Sequence, residues 1–177
     1  MKILVTPLSC VEAAIAEHRP SHMITLLDPE YPIETPRGMS ADRHLKLGVW
    51  DICQPAPGMT PAGAGEVEKI LAFGRGWDGS EPLLVHCWAG ISRSTATAFM
   101  LACARNPQAG ELDIARRLRR AAPHAYPNRR LVQLADQALG RQGRMIQAIE
   151  AIGGGDFSTM GRPFELPARF RSQPRPR

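Results

Sequence analysis

At 177 residues, with 44% hydrophobic and 22% charged residues, the chain fits one globular domain and excludes a disordered or fibrous protein. A chain of this size buries roughly 70% of its unfolded surface, enough for a core that needs no disulfide staples. The net charge of +5 admits nucleic acid, an anionic surface or phosphorylated substrates, but much of the excess sits in the RRLRR run at 116–120 and in the C-terminal tail. A solvated helix face and a basic tail account for it, and no nucleic-acid motif accompanies the charge.

The four cysteines, at 10, 53, 87 and 103, show neither a CxxC pair nor metal-ligand spacing. They suit a reducing compartment, and the expected location is the cytoplasm. The N-terminus is broken by Pro7 and Glu12 and lacks the apolar core of a signal peptide. No segment reaches the ~18 continuous apolar residues of a membrane span.

Taken in chain order, Ile3 to Val5 is a short apolar run that predicts a strand, and residues 11–18 have helical composition. His22 to Leu27 is apolar and partly β-branched, bounded by Pro20 and Asp28-Pro29, so it predicts a buried strand. His44 to Trp50 predicts another strand, ending at Asp51, and the Pro/Gly-rich stretch 54–65 predicts a loop. Val67, Ile70, Leu71, Gly74 and Trp77 keep the spacing of a helix with one buried face. Pro82 to Val85 is too short for a helix and predicts a central strand running into His86-Cys87. From Ser94 the run TATAFMLACA is apolar on nearly every side, the pattern of a helix buried in a core. Amphipathic helices follow around Leu112–Leu118, after Pro127-Asn128, and from Met145 to Ile152.

This order predicts an α/β fold: a central, mostly parallel sheet flanked by helices, with a helical C-terminal half. The expected organisation is a single catalytic domain over residues 1–155 and a poorly ordered Pro/Arg-rich tail over 156–177, with Phe164 and Leu166 tacking it to the body.

The chemistry concentrates in LLVHCWAGISRSTA, where five residues separate Cys87 from Arg93. A strand ends there, the backbone turns through Gly90, and a helix starts near Arg93-Ser94. Such a turn collects unpaired backbone N–H groups and aims a helix N-terminus into one hollow, which suits a phosphate dianion. The predicted cradle comprises Trp88, Ala89, Gly90, Ile91 and Ser92, with Arg93 as a two-pronged clamp whose geometry lysine does not match. The same field favours a thiolate, the reactive form of cysteine, so the loop also prepares Cys87 as a nucleophile. Ser94 is placed to hydrogen-bond the sulfur. His86, preceding Cys87 on a strand, points to the opposite side and is expected to orient the loop through hydrogen bonds rather than act as a base.

His86-Cys87-x-x-Gly90-x-Ser92-Arg93-Ser94 resembles the signature loop of the dual-specificity and tyrosine phosphatases. The stretch Ala122-Pro123-His124-Ala125-Tyr126-Pro127-Asn128, with Gln133-Leu134 after it, is similar to the segment that follows the loop in dual-specificity phosphatases. The likeness covers roughly residues 44–140. It implies hydrolysis of a phosphate monoester through a thiophosphoryl-cysteine intermediate, without metal or cofactor. It also implies a general acid, an aspartate on a loop some thirty residues before the cysteine. Asp51, thirty-six positions upstream at a strand end, is the expected acid; Asp42 and Asp78 are the weaker candidates.

Phosphotyrosine in a protein is the first expectation for substrate, with phosphoserine/threonine and a small phosphorylated metabolite as alternatives. The loop interior carries no lysine, which argues against polyanionic lipid or inositol phosphates. Tyr31 is the only tyrosine upstream of the cysteine, and Trp88 either walls the pocket or packs beneath the loop. Cys10, Cys53 and Cys103 read as buried thiols, with a redox partnership to Cys87 open for the first two. Two other functions fit parts of the pattern: a catalytically silent phosphoprotein-binding module and a rhodanese-like sulfurtransferase. The latter's loop is expected to close one residue sooner and to lack the Gly-x-Ser-Arg-Ser ending. The sequence carries no signal for oligomeric state.

Overall fold

The computed structural model describes residues 1–170 of the chain. Five strands form one sheet: β1 (Lys2–Pro7), β2 (His22–Leu27), β3 (His44–Gly48), β4 (Leu83–Cys87) and β5 (Phe164–Pro167), in the order β3-β2-β4-β1-β5. The first four run parallel, and β5 joins β1 antiparallel at the edge. Among the described residues, six α-helices surround the sheet: α1 (Val11–His18), α2 (Ala64–Gly76), α3 (Arg93–Arg105), α4 (Glu111–Ala121), α5 (Arg129–Ala138) and α6 (Arg144–Ala151). The mixed α/β architecture expected from the sequence is the one observed. No helix among the described residues is long and apolar enough to cross a membrane.

Alternation along each strand divides the sheet's two faces. Ile3, Val5, Ile24, Leu26, Leu47, Leu83, Val85 and Cys87 join the main core with helices α2 to α6. Leu4, Met23 and Leu84 face the other way, against Val11 and Ala14 of α1. The strand before the signature loop is buried on both faces, as a central parallel strand should be, and reads as a continuous apolar run. α3 is buried from Arg93 to Cys103, which explains why TATAFMLACA shows no polar stripe. Burying a side chain such as Phe99 stabilises the fold by about 1.5–3 kcal/mol, and this helix contributes Phe99, Met100 and Leu101 together.

Three expectations need correction. Part of the segment read as a loose tail is structured: Phe164 and Leu166 are buried in β5, which pairs with β1 from Lys2 to Val5. The sheet edge beside β1 offers unpaired backbone groups, and the FELP segment satisfies them; the remainder of that expectation, residues 171–177, lies outside the described residues. Arg119 is not part of a solvated face. Its guanidinium donates to the carbonyls of Pro123, Ala125 and Gly153, while Arg116, Arg117 and Arg120 are exposed. The strand expected from His44 to Trp50 ends at Gly48, leaving Trp50 half-buried beyond it, and Trp77 is the tryptophan that fills the interior.

Candidate active site

β4 ends at Cys87 and the chain turns at Gly90, whose φ is 70°. A Cβ there would lie 2.7 Å from the Pro7 backbone nitrogen and 3.0 Å from the Thr6 carbonyl carbon, so only glycine fits between the loop and β1. The loop's carbonyls are turned outward into the protein. Trp88 O accepts from Leu8 N at 3.1 Å, Ala89 O from Gly161 N at 2.7 Å, and Ile91 O from Tyr126 N at 2.9 Å. Ser92 O accepts from Ala96 N at 3.0 Å and Asn128 N at 3.2 Å. Among the described residues, no backbone N–H from Trp88 to Arg93 donates to a backbone carbonyl. Outward carbonyls and free amides, followed at once by a helix N-terminus, give an anion-binding concavity.

Cys87 is 2% exposed, and its Sγ lies 3.1 Å from Ser94 Oγ. Arg93, also buried, donates through Nη1 to Asp28 Oδ1 at 2.7 Å and to Val49 O at 2.5 Å. Its Nε–H has no hydrogen-bond partner and sits 3.7 Å from Asp51 Oδ2. One edge of the guanidinium is thus fixed by the protein, and the Nε edge is left to bind an oxyanion.

Asp51 lies just beyond β3, at the same end of the sheet as Cys87. Its Oδ1 accepts from Ser92 Oγ at 2.6 Å and from Asn128 Nδ2 at 2.8 Å. The second contact follows from local helix chemistry. Asn128 caps α5 by accepting Leu131 N on its Oδ1, which leaves its amide NH2 to face Asp51. Of the three aspartates weighed from the sequence, only Asp51 is brought to the cysteine loop. Asp42 and Asp78 line a shallow pocket with Ser21 and His22, where β2 starts, at the opposite end of the sheet.

His86 is fully buried, but its Nε2 bonds across the sheet rather than to the loop. It lies 2.6 Å from Thr25 Oγ1 on β2, and the same hydroxyl lies 2.8 Å from His44 Nε2 on β3. The expectation that His86 orients the loop by its own hydrogen bonds is corrected to a cross-strand role. Burial, partly offset by a backbone contact with Cys87, pushes His86 down to about 4. His44 is likewise lowered to about 4 by burial, with Lys46 and His86 adding to the effect.

The other thiols divide differently from expectation. Cys103 is buried, and burial pushes its thiol well up, whereas Cys53 is exposed and Cys10 partly exposed. All four cysteines are free.

The sequence reading used Asp28 only as a strand boundary and gave it no part in the site. Asp28, at the end of β2, holds Arg93 through Oδ1 and accepts the Trp88 indole N–H on Oδ2 at 2.9 Å. The available signal was position: Asp28 directly follows β2 and Asp51 comes three residues after β3, at the carboxyl ends where sites form in open α/β sheets.

No family model matches the sequence, and a sequence search of curated proteins finds no match. Solved structures do match the fold. DUSP15 is 16% identical over 84% of this chain and 88% of its own, with a TM-score of 0.60. Human DUSP28 is 18% identical over 79% of this chain and 94% of its own, with a TM-score of 0.59. PTPMT1, in complex with PI(5)P, is 13% identical over 83% of this chain and 89% of its own, with a TM-score of 0.56. The chain has the fold of the dual-specificity phosphatases.

Proposed function

We propose that the chain is a cysteine-dependent phosphatase that hydrolyses phosphate monoesters, with phosphotyrosine in a protein as its substrate. The observation that carries this reading is the run of acceptor-free amides from Trp88 to Arg93, closed by the buried and unpartnered Arg93 Nε, on the loop that begins at Cys87.

In the first step the Cys87 thiolate attacks phosphorus. A P–S bond forms and the P–O bond to the leaving group breaks, while the Asp51 carboxyl group gives its proton to the departing oxygen. Loop amides and the free edge of Arg93 hold the equatorial oxygens, where charge accumulates. In the second step the Asp51 carboxylate takes a proton from water, whose oxygen attacks phosphorus. The P–S bond breaks, inorganic phosphate forms, and Ser94 Oγ, 3.1 Å from the sulfur, supports the returning thiolate. These electrostatics need no metal or cofactor. Ser92 and Asn128 keep Asp51 at the loop before substrate arrives.

PTPMT1 was solved with an inositol lipid, but the loop interior of this chain, Trp-Ala-Gly-Ile-Ser, offers no basic residue for extra phosphates. That favours a protein or small phosphomonoester partner over a lipid. Four free cysteines fit a reducing compartment, and we place the protein in the cytoplasm.

The test is p-nitrophenyl phosphate hydrolysis by the wild type and Cys87→Ser, in reductant and without metal. Turnover by the wild type alone, blocked by vanadate, is expected. Phosphate binding without turnover in the wild type would point to a phosphoprotein-binding module. Sulfur transfer from thiosulfate would point to the sulfurtransferase.

A further inference from the structure

Between Cys87 and Arg93 the loop has five carbonyls, and backbone N–H groups elsewhere in the chain tie down four of them, those of Trp88, Ala89, Ile91 and Ser92. Gly90 is the exception, and its backbone is instead hydrogen-bonded by the His124 side chain. That contact favours the protonated ring, so the imidazole donates and Gly90 O accepts. His124 Nε2 is buried without a partner, which leaves Nδ1–H as the donor. The segment that leads into β5 holds the ring in place. Gly161 packs against it, and a Cβ there would come 2.7 Å from Nε2 and 2.9 Å from Ala89 O. Gly155 presses on the same turn, where a Cβ would lie 2.6 Å from Ala125 O and 2.8 Å from His124 O. Asp156 N donates to Pro123 O at 2.8 Å. The Phe164 ring meets the imidazole edge-on, with centroids 5.9 Å apart and planes at 73°.

We propose that His124 is a positioning residue of the phosphate cradle: by holding Gly90 O outward it turns Ile91 N–H into the hollow, and the 155–164 segment keeps His124 at that task. The inference rests on the phosphatase reading above and adds to it a residue outside the cysteine loop. A trans peptide puts the carbonyl of one residue and the N–H of the next on opposite sides of a rigid plane, and no cis peptide bond occurs among the described residues. Gly90 makes the support necessary. With φ at 70° and no side chain, it is the loop position with the most backbone freedom, and an untethered peptide would aim Ile91 N–H at the anion only part of the time. His124 does this as a neutral ring. Burial, followed by Arg119 of α4 and by Arg162, holds it below its ordinary value, and the opposing pull of the Gly90 contact and of Asp156 does not restore it. A well-aimed amide donating to an anion is worth about tenfold or more in affinity.

The experiment takes Cys87→Ser as the parent, which removes the nucleophile from the readout, and inorganic phosphate as the probe. Calorimetry on the parent should show binding, and the Ile91 amide proton should shift in NMR spectra when phosphate is added. Adding His124→Phe keeps an aromatic ring beside Phe164 and removes the donor; it should weaken phosphate about tenfold and reduce the Ile91 shift. Adding His124→Asn, whose amide NH2 replaces Nδ1–H, should recover most of the affinity, whereas a role in packing alone leaves the two variants equally weak. Full affinity in His124→Phe, equal losses in the two variants, or an undiminished Ile91 shift in His124→Phe overturns the proposal and leaves the phosphatase reading standing. A substitution beneath the loop can disturb folding, so the parent is also tested unaltered. Its His124 should carry the proton on Nδ1 at neutral pH, read from the ring-nitrogen chemical shifts, and the Nε2–H tautomer overturns the proposal as well. A parent that binds no phosphate overturns both the proposal and the reading it rests on.

Discussion

Thr25 carries an unusual share of the stability beneath the cysteine loop, because one hydroxyl serves two buried imidazoles. Its Oγ1 lies 2.6 Å from His86 Nε2 and 2.8 Å from His44 Nε2, and all three residues are buried. A hydroxyl has one proton to donate, so one imidazole accepts from it and the other donates to it, and the two histidines carry opposite tautomers at Nε2. Replacing Thr25 by valine keeps the shape and leaves both nitrogens without that partner. Each stranded buried group costs about 1–3 kcal/mol, so Thr25→Val should lose about 2–6 kcal/mol. That is a large part of the ~5–15 kcal/mol that holds a domain together. Thr25→Ser keeps the hydroxyl and removes one methyl, for a loss of about 1 kcal/mol. Urea unfolding at neutral pH, followed by tryptophan fluorescence, measures both, with an unchanged m-value required for the comparison. If Thr25→Val loses no more than Thr25→Ser, the shared-hydroxyl account is wrong.

Two further outcomes follow from the same geometry. His86 and His44 sit near 4 in the folded chain against an ordinary 6.5, so the unfolded chain binds their protons first as pH falls. Stability should therefore be level above about pH 7 and decline between about 6.5 and 4, by about 2 kcal/mol at pH 5 from the fully buried His86; a denaturation midpoint unchanged from pH 7 to 5 would contradict neutral buried imidazoles. Asp51→Ala should slow phosphotyrosine hydrolysis by about 10²–10⁴-fold, the usual size of general-acid assistance. It should slow p-nitrophenyl phosphate far less, since that leaving group departs without a proton, and equal slowing of the two substrates in steady-state kinetics would remove Asp51 from the role.

Much of this arrangement was legible because local rules and tertiary structure agree. The run from Leu83 to Cys87 could only be a strand at its length, the Gly90 turn needed a residue free of a side chain, and the helix beginning at Arg93 followed. Asp51 was found because a strand end and a spacing both pointed to it. Asp28 satisfied the first condition, but nothing in one dimension links it to Arg93; the contact exists because β2 lies beside β4. Thr25 and His44 were hidden for the same reason, since a threonine and a histidine within apolar runs look like ordinary strand residues until neighbouring strands stack them. β5 was missed because four residues among prolines and arginines carry too little periodicity to outweigh that composition. Cys53 was misjudged from residue type alone: cysteine favours the interior, but the Pro/Gly-rich loop that follows it holds it at the surface.

The pairing of β1 has a consequence for the order in which the molecule can assemble. Its two neighbours come from far along the chain: Val5 pairs with Val85 on one side and with Phe164 on the other. Contacts of such long sequence separation form slowly, because distant segments must first be brought together. The cysteine loop is braced from both these directions, by Leu8 N on Trp88 O and by Gly161 N on Ala89 O. A nascent chain that has not yet reached Gly161 already contains Cys87, Arg93, Asp51 and Asp28, but it lacks one of the two braces and the strand that closes the sheet. The cysteine loop therefore gains its full bracing late in folding, only when the segment around Gly161 and β5 returns to β1.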